Sequence, residues 1–421
     1  MNSTIRKHSY SLAIRSIVAL LASQLFLGSV WADDSAEIAK LKGQLEAVQR
    51  DVAQIAESKV PGSAESSTPL RGFADVGYTR ASNDQTRLDQ AGNGFWANSL
   101  DFYLTPQFTD RSKALIELIF EFAPDGGLAT DLERIQLGYS FNDQLTTWVG
   151  RFHAPYGYWN TGFHHGAEIQ TSILRPRFID FEDKGGLLPS HVMGAWATGH
   201  VGMGEDKLTY DFYTGNGNSL DLNTDLATGG ALTHSGSLGI NNSRDSNGNK
   251  LVGANIGYNM GSLVVGAHAF AKRVTMNDAN DTVSGEVGVK MTGLYGFYDD
   301  GNWEAITEYY RFNNDNLTAA PGTGSHSSWL GFAQLGHTVG DWTPYVRGER
   351  TSLDQNDLYF LHQEYGISYS RLALGVRYML NPKAALKLEI NQTKEGDGIP
   401  TATVADNGKY NEVRVQYSIR F

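Results

Sequence analysis

The sequence predicts an all-β protein, a 16-stranded antiparallel transmembrane β-barrel with a short N-terminal periplasmic coiled-coil helix. Three observations carry this expectation. Apolar and polar residues alternate strictly in many segments, as in the closing "YNEVRVQYSIRF", where Val413, Val415, Tyr417, Ile419 and Phe421 share one strand face. The connections between such segments alternate between tight turns and long loops. Finally, 47 Gly, 20 Tyr, 19 Phe and 8 Trp stand against 11 Pro and no Cys, which favours many short strands over a helical bundle.

The N-terminus reads as an export signal over residues 1–32. Arg6, Lys7 and Arg15 precede the apolar "IVALLASQLFLGSV", and Val30 and Ala32 occupy the small-residue positions before a cut placed after Ala32. That leader carries three basic and no acidic residues, so removing it takes the formal charge from −12 to −15. Such acidity argues against a nucleic-acid partner. Without cysteine there are neither disulfides nor thiolate metal sites, and no run of eighteen apolar residues follows the leader to make a membrane-spanning helix. No cofactor is expected.

Residues 33–58 change the period. Ile38, Leu41, Leu45, Val48, Val52 and Ile55 are spaced 3, 4, 3, 4, 3, the a/d seam of a coiled coil. Asp34 and Glu37 stand where a capping box opens a helix, and β-branched residues at a and d lean towards three strands. A seam this short assists an oligomer held mostly elsewhere, a homotrimer; the alternative is a surface helix packed on its own protein. Residues 59–69, rich in Pro, Gly and Ser, read as a linker to a barrel at 70–421.

Sixteen segments there have strand character: 70–80, 96–108, 112–122, 131–141, 144–152, 190–201, 205–215, 250–259, 262–273, 284–297, 302–313, 327–338, 342–351, 364–379, 384–393 and 410–421. "FND", "GMGED", "NMGS", "YDDGN", "TVGD" and "LNPKA" are turn-like connections, whereas 81–95, 153–189, 216–249, 314–326, 352–363 and 394–409 are long. Only a closed barrel satisfies every backbone group in hydrocarbon, so the apolar face of each strand is assigned to lipid. Leu372, Leu374 and Val376 alternate with Arg371 and Arg377, for example, and Leu386, Leu388 and Ile390 alternate with Lys387 and Glu389. Phe108, Phe141, Trp303, Trp342 and Tyr378, near strand ends, suit interfacial aromatic girdles. A β-sandwich is the alternative, but it would bury charges in its core.

The alternating last strand ending on Phe421 resembles the signal that outer-membrane barrels present to their insertion machinery. With the leader and sixteen strands, the chain resembles general and substrate-specific porins. The heptad helix before the barrel is similar to the DcaP-type trimeric porins and the phosphate-selective porins, with "GRFHAPYGYWN" at 150–160 as the one motif-like echo. The resemblance implies a homotrimer in the outer membrane of a Gram-negative bacterium, in contact with outer-membrane lipid, its helix in the periplasm, each chain passing small hydrophilic solutes. It also implies that the long loop 153–189 narrows the channel. Its six aromatic residues, among them Tyr156, Trp159 and Phe178, are too apolar to stand in water.

An inward loop brings Arg175, Arg177, Glu168, Asp180, Glu182 and Asp183 to the constriction. The expected basic wall is Arg71, Arg134, Arg151, Arg347, Arg371, Arg377, Lys387, Arg414 and Arg420, and Asp101, Glu117, Glu121, Asp211, Glu304 and Glu308 form an acidic group. These charges either separate into a transverse field or neutralise one another. Arginine's bidentate donors tilt the reading weakly towards anions such as carboxylates or phosphate. His164, His165 and Glu168 lack a further placed ligand, and "DSNGNK" at 245–250 has its glycine at the wrong position for a calcium loop. No catalytic pattern stands out, so the chain reads as a porin rather than an enzyme. The alternative function is a non-conducting outer-membrane barrel that acts as adhesin or receptor, or anchors a periplasmic partner.

Overall fold

The protein is described by a computed structural model over residues 70–82, 93–122, 126–163, 166–182, 185–222, 234, 236–239, 248–278, 283–318, 323–396 and 408–421. The leader, the heptad seam, the linker, Asp183, His164, His165 and the first half of "DSNGNK" lie outside the described residues.

Sixteen long strands run β1 (Arg71–Ala81), β2 (Gly94–Leu104), β3 (Ser112–Phe122), β4 (Leu128–Asn142), β5 (Leu145–His153), β6 (His191–Met203) and β7 (Asp206–Asn216). After two short strands, β8 (Ser219–Asp221) and β9 (Ser237–Leu238), they continue with β10 (Lys250–Met260), β11 (Leu263–Asn277), β12 (Val283–Asp299), β13 (Trp303–Asn316) and β14 (Gly324–His337). The last four are β15 (Trp342–Ser352), β16 (Tyr369–Asn381), β17 (Ala384–Glu395) and β18 (Lys409–Arg420). Each long strand pairs antiparallel with its neighbour, β7 with β10 across the two short strands. β8 continues from β7 beyond the end of β10 and pairs parallel with the tip of β11.

The ring closes where β1 meets β18, with Phe73 opposite Arg420. Gly72 and Phe421 exchange backbone hydrogen bonds of 3.1 and 3.0 Å, so the final residue completes the seam. Its ring lies 5.8 Å from Phe102. Position 72 has to be glycine here, because a Cβ would meet the Asp101 carbonyl at 2.1 Å and the Phe421 ring at 2.7 Å.

The outer surface is an apolar sleeve. Leu372, Leu374, Leu386, Leu388, Ile390, Val413, Val415 and Tyr417 are exposed, while their alternating neighbours Arg371, Lys387, Glu389, Arg414 and Gln416 are buried inside. That is the pattern expected of a wall facing hydrocarbon. Phe108, Phe141, Trp303, Trp342 and Tyr378 all lie at the end that carries the tight turns, where Trp342 and Tyr378 approach to 4.5 Å.

One feature departs from the sequence reading, which placed charges on nearly every inner face. Phe270, Val274 and Met276 on β11, Val287, Val289 and Met291 on β12, Ile306, Tyr310 and Phe312 on β13, and Leu330 and Phe332 on β14 point inward and are buried. The inner faces of these strands are largely apolar, Lys272 and Glu308 apart, because they pack against chain rather than water.

Gly72→Leu is expected to lower the temperature at which the folded barrel converts to its unfolded band on heat-modifiability gels, since the seam must open to admit the side chain. An unchanged conversion temperature contradicts this account of closure.

Candidate functional site

The segment between β5 and β6 lies inside the barrel. Its two ends are fixed by strand pairing, because His153 stands opposite His191 in the β5/β6 register. Asn160 ties them again from within, its Nδ2 donating to the carbonyls of Ala154 and Ser190 at 3.0 and 3.1 Å. Between these points the chain has little secondary structure beyond a helical turn at Trp159–Gly162 and a 3-10 turn at Arg177–Ile179. Its backbone groups must therefore find partners on the wall.

They do so through buried wall carboxylates and cations. Glu308 on β13 accepts from the backbone N–H groups of Tyr158 and Trp159 at 2.8 and 2.6 Å. Glu389 on β17 accepts from Ile173 and Glu349 on β15 from Arg177, each at 2.9 Å. Arg347, fully buried on β15, donates to the Leu174 carbonyl at 2.7 Å, to Ser172 Oγ at 2.8 Å and to the Arg175 carbonyl at 3.4 Å, while pairing with Glu349 at 3.0 Å. Lys387 donates to the carbonyls of Ala167, Gln170 and Ser172. A carboxylate that meets N–H groups and an ammonium that meets carbonyls both gain charge-assisted hydrogen bonds, the stronger kind in a place shielded from water.

Apolar contacts do the rest. Tyr158 stacks on Phe297 at 4.0 Å, Trp159 meets Phe332 at 5.6 Å and Phe178 meets Tyr310 at 5.6 Å. Gly157 turns the chain with a positive φ of 62°, and a Cβ there would lie 2.4 Å from Glu308 Oε2. At the end that carries the long loops, Leu220, Leu238, Leu358 and Phe360 join the same interior cluster. Tyr359 donates to the Leu187 carbonyl at 2.6 Å.

Of the residues expected at the constriction, Glu168 pairs with Arg377 at 3.0 Å and with Arg420 at 3.2 Å. Arg177 pairs with Glu395 at 2.8 Å and lies over Tyr365 and Tyr369 at 4.7 and 4.8 Å. Arg175 reaches the Ile179 carbonyl at 3.2 Å and covers the Phe181 ring at 4.0 Å, and burial lowers its pKa. Asp180 accepts from the N–H of Phe181 at 2.9 Å. Glu182 accepts from the His191 N–H at 2.9 Å. Burial opposes the Glu182 charge, but the adjoining His191 outweighs it and leaves the pKa below the usual value.

Of the wall residues, Arg134 pairs with Glu117, Arg151 with Asp131 at 3.3 Å and Arg414 with Glu412 at 2.9 Å. Arg371 donates to Thr393 Oγ1 at 2.9 Å. Arg71 and Arg420 are exposed at the turn end. Basic and acidic groups thus stand beside each other across the interior rather than on opposed halves. Sequence reading passed over Glu349 as a fastener of the loop and over His153 and His191 at its neck. The available signal for the two histidines was their place at the two ends of the longest connection.

A closed ring of sixteen antiparallel strands, apolar outside and holding one long connection within, defines the porin-like class of outer-membrane barrels. Solved structures agree on the fold. An anion-selective porin from Comamonas acidovorans is similar at 14% identity and TM-score 0.55, over 84% of this chain and 99% of its own. The outer membrane channel DcaP of Acinetobacter baumannii is similar at 12% identity and TM-score 0.52, over 86% and 100%. The trimer form of OmpT, an outer membrane protein of Vibrio cholerae, is similar at 11% identity and TM-score 0.50, over 84% and 99%. No protein-family model matches the chain, and no curated protein matches it by sequence.

Arg347→Met is expected to cost about 3–5 kcal/mol, because it strands Glu349 and three loop acceptors in the interior. Limited proteolysis of the folded barrel should then cut within 166–190, whereas continued resistance to cutting contradicts the fastening role. Gly157→Val is expected to free the loop in the same assay through the clash with Glu308.

Proposed function

We propose that this protein is an outer-membrane porin through which small hydrophilic solutes diffuse passively, with a weak preference for anions such as carboxylates or phosphate. The observation that carries the reading is the connection 154–190 fastened inside a closed sixteen-stranded barrel, since a loop held there sets the narrowest section of a lumen. The constriction residues of this reading are Glu168, Arg175, Arg177, Asp180, Glu182 and Asp183, and Arg71, Arg377 and Arg420 supply cations towards the turn end. Selection is by size and charge, without chemistry. Support for the anion preference comes from the exposed Arg71 and Arg420 and from the likeness to an anion-selective porin. Assembly as a homotrimer draws support from the likeness to a protein solved in trimer form and from the heptad seam at Ile38, Leu41, Leu45, Val48, Val52 and Ile55. The leader at 1–32, the periplasmic helix and the insertion signal at Phe421 belong to the same reading.

A specific observation favours a second reading. The loop, the inner faces of β11–β14 and the segment 353–367 form one buried apolar cluster inside the ring. A lumen filled in this way suits a non-conducting barrel that serves as adhesin or receptor, or that anchors a periplasmic partner.

Planar-bilayer recording of the purified protein separates the two. The porin reading expects insertions that close in three steps and a reversal potential under a salt gradient on the anion side, moved towards cations by Arg71→Ala with Arg420→Ala. A cation-side potential in the unmodified protein removes the anion preference and keeps the pore. Heat-modifiable, folded protein that conducts no current overturns the porin reading in favour of the plugged barrel.

A further inference from the structure

At the neck of the inward loop, three potential metal ligands converge from three strands. Glu133 on β4, His153 at the end of β5 and His191 at the start of β6 are all buried, and one donor atom from each lies within 4.8 Å of the others. Their convergence has a local cause. The β3/β4 ladder shifts register between Glu117 and Leu118: Arg134 faces Glu117 and Leu132 faces Leu118, leaving Glu133 as the extra residue of a bulge. A bulge re-aims its side chain, and this one turns Glu133 to the histidine pair. His153 and His191 are direct cross-strand partners, with ring centroids 5.4 Å apart.

We infer that Glu133, His153 and His191 bind a divalent first-row transition-metal ion of the zinc class at the base of the inward loop, with the carboxylate of Glu117 as the neighbouring fourth donor. Two imidazoles and a carboxylate form the borderline donor set that such ions take in preference to calcium or magnesium. His191 is already arranged as a ligand is. Its Nδ1 faces Glu182 Oε2 at 3.3 Å and its Nε2 faces Glu133 Oε1 at 2.7 Å, so an ion would take the place of the Nε2 proton between the ring and Glu133 while Nδ1–H keeps donating to Glu182. A carboxylate behind the ring is the usual outer partner of a metal-bound histidine. His153 Nε2 stands 3.7 Å from Glu117 Oε2. Ligation at about 2.0–2.2 Å requires His191 Nε2 and Glu133 Oε1 to part enough to admit the ion and His153 to swing in, a movement of side chains rather than of strands.

Charge favours the ion as well. Glu117, Glu133, Glu182 and Asp131 surround the histidines, while Arg134 and Arg151 are the cations paired with them. Once the ion has displaced the Nε2 proton of His191, the carboxylates outnumber the cations around them, and a divalent ion offsets the excess. The bound ion would join β4, β5 and β6 where the loop departs and returns, and so hold the base of the constriction.

The test uses untagged full-length protein, purified folded in detergent and stripped with chelator, then dialysed against zinc chloride and assayed for zinc per chain. One zinc per chain is expected. Affinity should fall at least about tenfold in His153→Gln and in His191→Gln, and be unaffected in His337→Gln on β14. Cobalt(II) in place of zinc should give the visible absorption of a low-coordinate nitrogen and oxygen site, lost in both neck variants. Heat modifiability confirms that each variant is folded; should either histidine variant fail to insert, Glu133→Gln serves the same purpose. Zinc uptake by the unmodified protein no greater than by the folded neck variants, or uptake unaffected by all three substitutions, overturns the inference.

Discussion

Hydrocarbon offers no partner to a peptide group, and that constraint governs this chain. Strands placed in a bilayer have to pair on both edges, so the sheet closes, and closure here is finished by Gly72 and the last residue, Phe421, bonded through their backbones. Once the ring is shut, each strand has an outside that lipid contacts and an inside that it does not. The alternation visible along β16, β17 and β18 is the imprint of that division.

The same requirement then operates inside. A connection with almost no regular structure enters the lumen carrying unpaired backbone groups, and the wall answers with side chains of matching polarity. Glu308, Glu349 and Glu389 receive its N–H groups, and Arg347 and Lys387 receive its carbonyls. Charges that look like the lining of a channel are thereby committed to holding a loop. Where β11–β14 supply apolar residues instead, the loop supplies Trp159 and Phe178 to meet them, and the interior there resembles the core of a water-soluble domain.

Much of this architecture is legible in the sequence. All sixteen strands show in the period-two pattern, with ends displaced by a few residues, because the lipid-facing half of each strand is under a constraint that does not depend on the rest of the fold. The two short strands β8 and β9 do not show, since three and two residues are too few for a period. The interior is harder to read for a physical reason. Its partners are distant in the chain, as with Tyr158 and Glu308 or Ile173 and Glu389, and a carboxylate's place on an inner face does not tell whether it faces water or a backbone N–H. The neck histidines stayed hidden likewise, because a bulge at Glu133 has no signature in alternation. The residues chosen for the constriction do lie on the inward segment, yet those described are engaged with protein groups, so the electrostatics of the lumen depend on pairing as much as on composition.

The cross-strand pairing of His153 with His191 means that the 37 residues between them hang from a single point of the ring. Their ends meet wherever β5 and β6 meet, whatever lies between. The wall and the insert can therefore diverge at different rates in evolution: the outer faces of the strands answer to the bilayer, and the hanging segment answers to the space and the inner side chains it meets. An exchange of that segment between related barrels would reshape the interior while leaving the membrane-facing surface untouched.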